Sequence, residues 1–167
     1  MLEKEIITLI NSQITKEFFS AYLYLDFSNY YEVHGFAGFA SWFKIQAKEE
    51  LDHGLMLSKY LHDNGGSIKL EKIESPNIDI KELIDPLIAS LKHEQYVTES
   101  INKIYARALE LKDFRTTEFL SWFIKEQAEE EKSAQMLISK MMLFGNEGKN
   151  LYLLDQELAQ RKSERKS

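Results

Sequence analysis

Four stretches of the chain carry apolar residues at alternating steps of three and four, the spacing of one helix face. Each stripe is interrupted near its middle by residues that do not suit an apolar core. The first, over about 2–32, reads Ile7, Ile10, Ile14, Glu17, Ala21, Tyr24, Ser28, Tyr31. The second, over about 36–63, reads Phe36, Phe39, Phe43, Gln46, Glu50, His53, Leu57, Tyr60. The third, over about 80–111, reads Ile80, Ile84, Leu87, Leu91, Glu94, Thr98, Ile101, Tyr105, Ala108. The fourth, over about 116–144, reads Thr116, Leu120, Phe123, Gln127, Glu130, Ala134, Leu137, Met141, Phe144. Such stripes bury themselves only against one another, so the pattern predicts an all-α four-helix bundle over about 2–144.

The connections set its topology. Val33, His34 and Gly35 leave room only for a tight turn, which makes the first two helices antiparallel neighbours. A tight turn near Lys112 and Asp113 does the same for the last two. Between them, residues 64–79 reach about 50 Å when extended, and the second helix is about 42 Å long. The connection therefore returns along the bundle as one long crossover, and the second and third helices run parallel. Ile68 and Leu70 alternate with polar neighbours, which suggests a half-buried strand in this loop. Pro86 leaves two readings open: a kinked third helix, or one that begins there with Asp85 as its cap. Beyond Gly145 and Gly148, a short helix over about 149–160 must dock on the bundle, and a basic tail follows over 161–167. A single domain over 1–167 is expected.

In a bundle of similar helices the midpoints lie at one height. Glu17, Glu50, His53, Glu94, Gln127 and Glu130 should therefore converge inside the core. Buried carboxylates must pair or bind metal, and no Lys or Arg lies on the stripes. Four carboxylates match two divalent cations. Oxygen-rich sites with one imidazole suit Fe(II), Mn(II) or Zn(II) better than copper. Glu50 and His53 are one turn apart on one face. Tyr24, seven residues beyond Glu17, is placed to hydrogen-bond a ligand, supply an electron or simply fill the core. His34, His62 and His93 lie off the stripes and read as surface residues, and Trp122 as packing. Glu49, Glu126 and Glu129 adjoin the group as a solvated acidic face or as a third, more exposed metal site sharing Glu130.

Composition removes several alternatives. There are no cysteines, so disulfides, Fe–S clusters and thiol nucleophiles are excluded. The formal charge of −6 argues against a nucleic-acid partner. No apolar run reaches membrane-span or signal-peptide length, so a cytoplasmic protein without membrane contact is expected.

At these residues the sequence resembles the bacterial non-haem ferritins. The likeness rests on Lys48-Glu-Glu-Leu-Asp-His53, Lys92-His-Glu-Gln95, Phe119-Leu-Ser-Trp122, Glu126-Gln-Ala-Glu-Glu-Glu131 and Gly148-Lys-Asn-Leu-Tyr152, and it spans essentially the whole chain. It implies a ferritin-like bundle that oxidises Fe(II) with O2 at a di-iron centre and stores the product as hydrated ferric oxide in a shell of twenty-four subunits. Glu17, Glu50 and His53 would hold one iron; Glu50, Glu94 and Glu130 the second, with Gln127 nearby; Glu49, Glu126, Glu129 and Glu130 a third. Tyr24 would be the tyrosine beside the centre. The haem-binding branch has Met after the bridging Glu and a second Glu-x-x-His; Leu51 and Ser133 stand there, so no haem is expected. A redox-cycling di-iron oxidase or peroxidase that retains its metal is the rival class. The oxygen-only second site favours storage, because a symmetrical pair of Glu-x-x-His motifs would hold iron more firmly.

Overall fold

In the computed structural model, which describes residues 2–163, the chain forms five helices: α1 Lys4–Val33, α2 Ala37–Asp63, α3 Asp85–Glu110, α4 Phe114–Phe144 and α5 Gly148–Leu158. α1 packs along α2, α3 along α4, and α1 against α3. Residues 164–167 of the expected basic tail lie outside the described residues.

Local chemistry accounts for the helix ends. Gly35, at φ 82°, makes the α1–α2 turn in the left-handed region that favours glycine. At the α3–α4 turn Lys112 takes that conformation, at φ 56°, and Asp113 then caps α4 by accepting from the Thr116 amide at 3.1 Å. The proline question resolves towards a start. α3 begins at Asp85 with Pro86 in its first turn, where no helical N–H is needed. The Asp85 carboxylate meanwhile accepts from the amides of Lys81 and Glu82, both at 2.8 Å. Ile80 and Ile84 therefore precede the helix expected to include them.

The crossover runs from Asn64 to Ile84 and contains no strand among the described residues, a second departure from expectation. Ile68 is half-buried but Leu70 is exposed. A side chain stands in for a strand partner: Asn11 of α1 donates to the Ser67 carbonyl at 2.9 Å and accepts from the Lys69 amide at 2.8 Å. That satisfies the backbone without a ladder.

The core is divided in two. One apolar half gathers Leu23, Phe27, Tyr31, Phe39, Phe43 and Leu87 with the far end of α4 and with α5. The other gathers Ile6, Ile10, Ile14, Leu57, Ile101 and Phe123. α5 closes the first half by laying Leu154 and Leu158 on α2 and α4. Its Asp155 carboxylate accepts from the Phe39 amide at 3.0 Å, filling an open donor at the start of α2. Gly38 permits this approach, since a Cβ there would collide with the Asp155 carbonyl. Among the described residues no helix is long and apolar enough to cross a membrane.

Candidate metal centre

Between the two apolar halves lies a polar layer. Glu17 of α1, Glu50 and His53 of α2, Glu94 of α3 and Glu130 and Gln127 of α4 are all buried there. Oxygen and nitrogen atoms of Glu17, Glu50 and His53 fall within 4.8 Å of one another, as do those of Glu50, Glu94 and Glu130. Glu50 belongs to both groups and so stands between them. His53 Nδ1 is 3.3 Å from Glu50 Oε2 and 4.0 Å from Glu17 Oε2.

Neutral hydrogen-bond donors hold the carboxylates. Gln13 donates to Glu17 Oε1 at 2.7 Å, and its own carbonyl accepts from Ser100 at 2.6 Å. Gln46 donates to Glu130 Oε2 at 2.6 Å and to Glu50 Oε1 at 3.2 Å. Gln127 donates to Glu94 Oε2 at 3.1 Å, and the Tyr24 hydroxyl donates to Glu94 Oε1. Sequence reasoning did not single out Gln13 and Gln46. Each stands four residues before a buried Glu on the same helix, a spacing that puts amide and carboxylate on one face.

The electrostatics are those of a site short of positive charge. Burial drives Glu17 and Glu50 well above the usual carboxylate range, and neighbouring carboxylates add repulsion. Burial likewise pushes Glu94 up to about 7 and Glu130 up to about 8. Among the described residues no Lys or Arg pairs with any of the four, and Glu17 Oε2 is buried with no hydrogen-bond partner. A buried carboxylate oxygen left open beside an imidazole and a second carboxylate suits a cation as the missing partner.

Beside this layer the bundle opens into a cleft of about 650 Å³, lined among others by Glu49, His53, Glu126, Glu129, Glu130 and Arg161. His53, Glu126 and Glu130 form a third group with ligand atoms within 4.8 Å. The outer acids diverge: Glu129 is exposed, whereas Glu49 pairs with Arg161 at 2.8 Å. Neither joins the third group.

One histidine expectation needs adjustment. His93 is half-buried rather than exposed: it meets Ser20 Oγ at 2.7 Å, lies edge-on to Tyr24, and burial lowers its pKa to about 4. Trp122 packs beside the site, as expected, 5.5 Å from His53 between ring centres. Tyr24, also raised well above its ordinary range by burial, touches Phe27 and Phe43 as well as Glu94.

A four-helix bundle with one crossover and a buried carboxylate–histidine layer that could hold metal is the architecture of the ferritin-like carboxylate bundles. A family model described as a ferritin-like domain matches residues 7–144, and the chain belongs to that family. Its relatives include the bacterial non-haem ferritin of Campylobacter jejuni, 36% identical over 156 residues covering 93% of each chain. The bacterial non-haem ferritin of Staphylococcus aureus is 34% identical over 161 residues, covering 96% of this chain and 97% of the relative. An open-pore ferritin from the archaeon Archaeoglobus fulgidus superposes with a TM-score of 0.95 at 34% identity, over 97% of this chain and 100% of that one.

Proposed function

We propose that this protein stores iron and oxidises it on the way in. Fe(II) is the substrate and O2 the oxidant. Glu17, Glu50 and His53 hold one ion; Glu50, Glu94 and Glu130 hold the other, with Gln127 fixing Glu94 from outside. The observation that carries this reading is the buried layer of four carboxylates and one imidazole, paired with no Lys or Arg among the described residues, with an open Glu17 oxygen. Two divalent ions neutralise four carboxylates. Oxidation of two Fe(II) gives two electrons, which reduce one O2 to hydrogen peroxide with two protons from water. The hydroxide left by that water balances the two added positive charges, and hydroxide-bound Fe(III) is on the way to hydrated oxide mineral. The second group has only oxygen ligands, which lets the product leave towards His53, Glu126, Glu130 and the cleft. Tyr24, hydrogen-bonded to Glu94, is placed to pass an electron.

The shell of twenty-four and the cytoplasmic location belong to the same proposal, supported by likeness to ferritins over nearly the whole chain. Exposed apolar side chains such as Val33, Phe114, Met142, Leu143 and Tyr152 supply surface for contacts between copies.

The test adds Fe(II) aerobically in small successive portions and records absorbance, oxygen uptake and particle size. A burst with every portion, in particles far larger than one chain, is expected. One burst that never recovers, with two irons held permanently per chain, would favour the redox-cycling oxidase instead.

A further inference from the structure

α5 does more than close the apolar core. Anchored by Asp155 against the start of α2, it delivers Arg161 onto the α2 face that carries Trp42, Gln46 and Glu49. The guanidinium lies 4.2 Å from the Trp42 ring centre and donates to the Trp42 carbonyl at 3.3 Å. It also donates to Gln46 Oε1 at 3.0 Å and to Glu49 Oε2 at 2.8 Å. Four contacts from one planar fork seat the first residue of the basic tail on the bundle.

The consequences run in two directions. Outward, Arg161 neutralises Glu49, the acid that would otherwise extend the group formed by His53, Glu126 and Glu130. Inward, guanidinium has no acceptor, so the Gln46 oxygen must face it and the Gln46 amide hydrogens must face Glu130 and Glu50. Arg161 thus selects the Gln46 orientation that grips both carboxylates.

We propose that Arg161 is a tethered cation at the mouth of the centre: it occupies the place of a metal ion at Glu49, positions Glu130 and Glu50 through Gln46, and must swing away before a third divalent ion binds firmly. The inference rests on the metal-binding reading above. It makes the third position a transit point, because an ion arriving there displaces an intramolecular competitor of high effective concentration.

Zinc(II), which is redox-inert, tests this on the whole assembled protein by calorimetry. Wild type should take two tight ions per chain and a weak third. R161Q should bind the third about tenfold more tightly, R161K, which keeps the charge but loses the fork, should fall between R161Q and wild type, and E49Q added to R161Q should abolish the gain. A third-ion affinity equal in wild type and R161Q overturns the proposal. A second readout needs no change at Arg161. With Trp122→Phe, Trp42 is the one remaining tryptophan, and its emission should shift as the third ion, not the first two, is added; an unchanged emission overturns the proposal too. Failure of wild type to take two tight ions would count against the oxidation centre itself. The Arg161 question would still be decided, by whether R161Q gains an ion that R161Q/E49Q lacks.

Discussion

The buried carboxylate layer and the acidic mouth beside it are made from the same residue type, and they meet at Glu130. In the layer, Glu17, Glu50, Glu94 and Glu130 are gripped by amides, a phenol and the His53 imidazole, and among the described residues by no Lys or Arg. In the mouth, Glu49 has Arg161 and Glu129 has solvent. Neutral donors fix a carboxylate in place without cancelling its charge. A guanidinium cancels the charge and shuts the position. The layer is therefore built to demand cations and the mouth to tolerate their absence. If the layer binds iron as proposed, an ion is drawn most strongly to the layer and passes the mouth on its way in or out.

The strongest attempt to break this contrast removes a ligand from the layer. Glu50→Ala takes away the carboxylate common to both groups, and His53→Ala the one nitrogen donor. Each should slow rapid Fe(II) oxidation by on the order of 10–100-fold or more, since loss of even an outer partner of a metal site costs that much. Stopped-flow absorbance after aerobic mixing measures it. Undiminished rapid oxidation in both variants would remove the layer from the chemistry.

A smaller effect sharpens the contrast through pH. Without metal, Glu94 lies at about 7 and Glu130 at about 8 instead of 4.5, chiefly through burial. A carboxyl whose pKa is higher folded than unfolded supports the fold fully below about 4.5 and loses that support as pH rises through its folded value. The thermal midpoint of metal-free protein should thus fall from about pH 5.5 to about pH 8.5, and Zn(II) should reverse the fall by replacing protons. Glu94→Gln should flatten the dependence, while Glu129→Gln, on an exposed residue, should leave it alone. A metal-free midpoint that climbs across this window would show that the layer is not short of positive charge.

The parts of this molecule differ in how far they could be read from residues alone. Periodicity located the four long helices and put their polar midpoints at one height, because a helix face is a one-dimensional pattern. It drew one face slightly askew. In α3 Val97 and Ile104 are buried where Leu91 and Tyr105 are only partly so. The crossover was read as a strand because alternation was visible, whereas the Asn11 contacts that replace a strand partner join residues 56 and 58 apart. His93 was placed outside for lack of a stripe, yet it shelters where α1 crosses α3. Arg161 looked like the first residue of a charged tail. Its role depends on where α5 ends, and a contact spanning 112 residues has no local signature.

The finest test separates two glutamates within the mouth. The residues left Glu126 and Glu129 as a solvated acidic face or a shared third site, and the ferritin resemblance implied the third site. The structure sets Glu126 within reach of His53 and Glu130, and leaves Glu129 in solvent outside that group. If iron leaves the layer through shared Glu130, the next oxygen ligand it meets is Glu126. Glu126→Gln removes that charge while keeping size and hydrogen bonding, so the first burst of oxidation should be nearly unchanged. Recovery between portions of Fe(II) should slow, by about two- to tenfold, the range expected from one modest electrostatic contact worth roughly 0.5–1.4 kcal/mol. Glu129→Gln should alter recovery by less than about twofold, since an exposed charge in water contributes little. Sequential-addition kinetics on both variants measure the difference. Equal slowing by the two would return Glu129 to the third site and mean that the mouth closes around iron further than its metal-free geometry implies; slowing by Glu129→Gln alone would move the exit path away from Glu126.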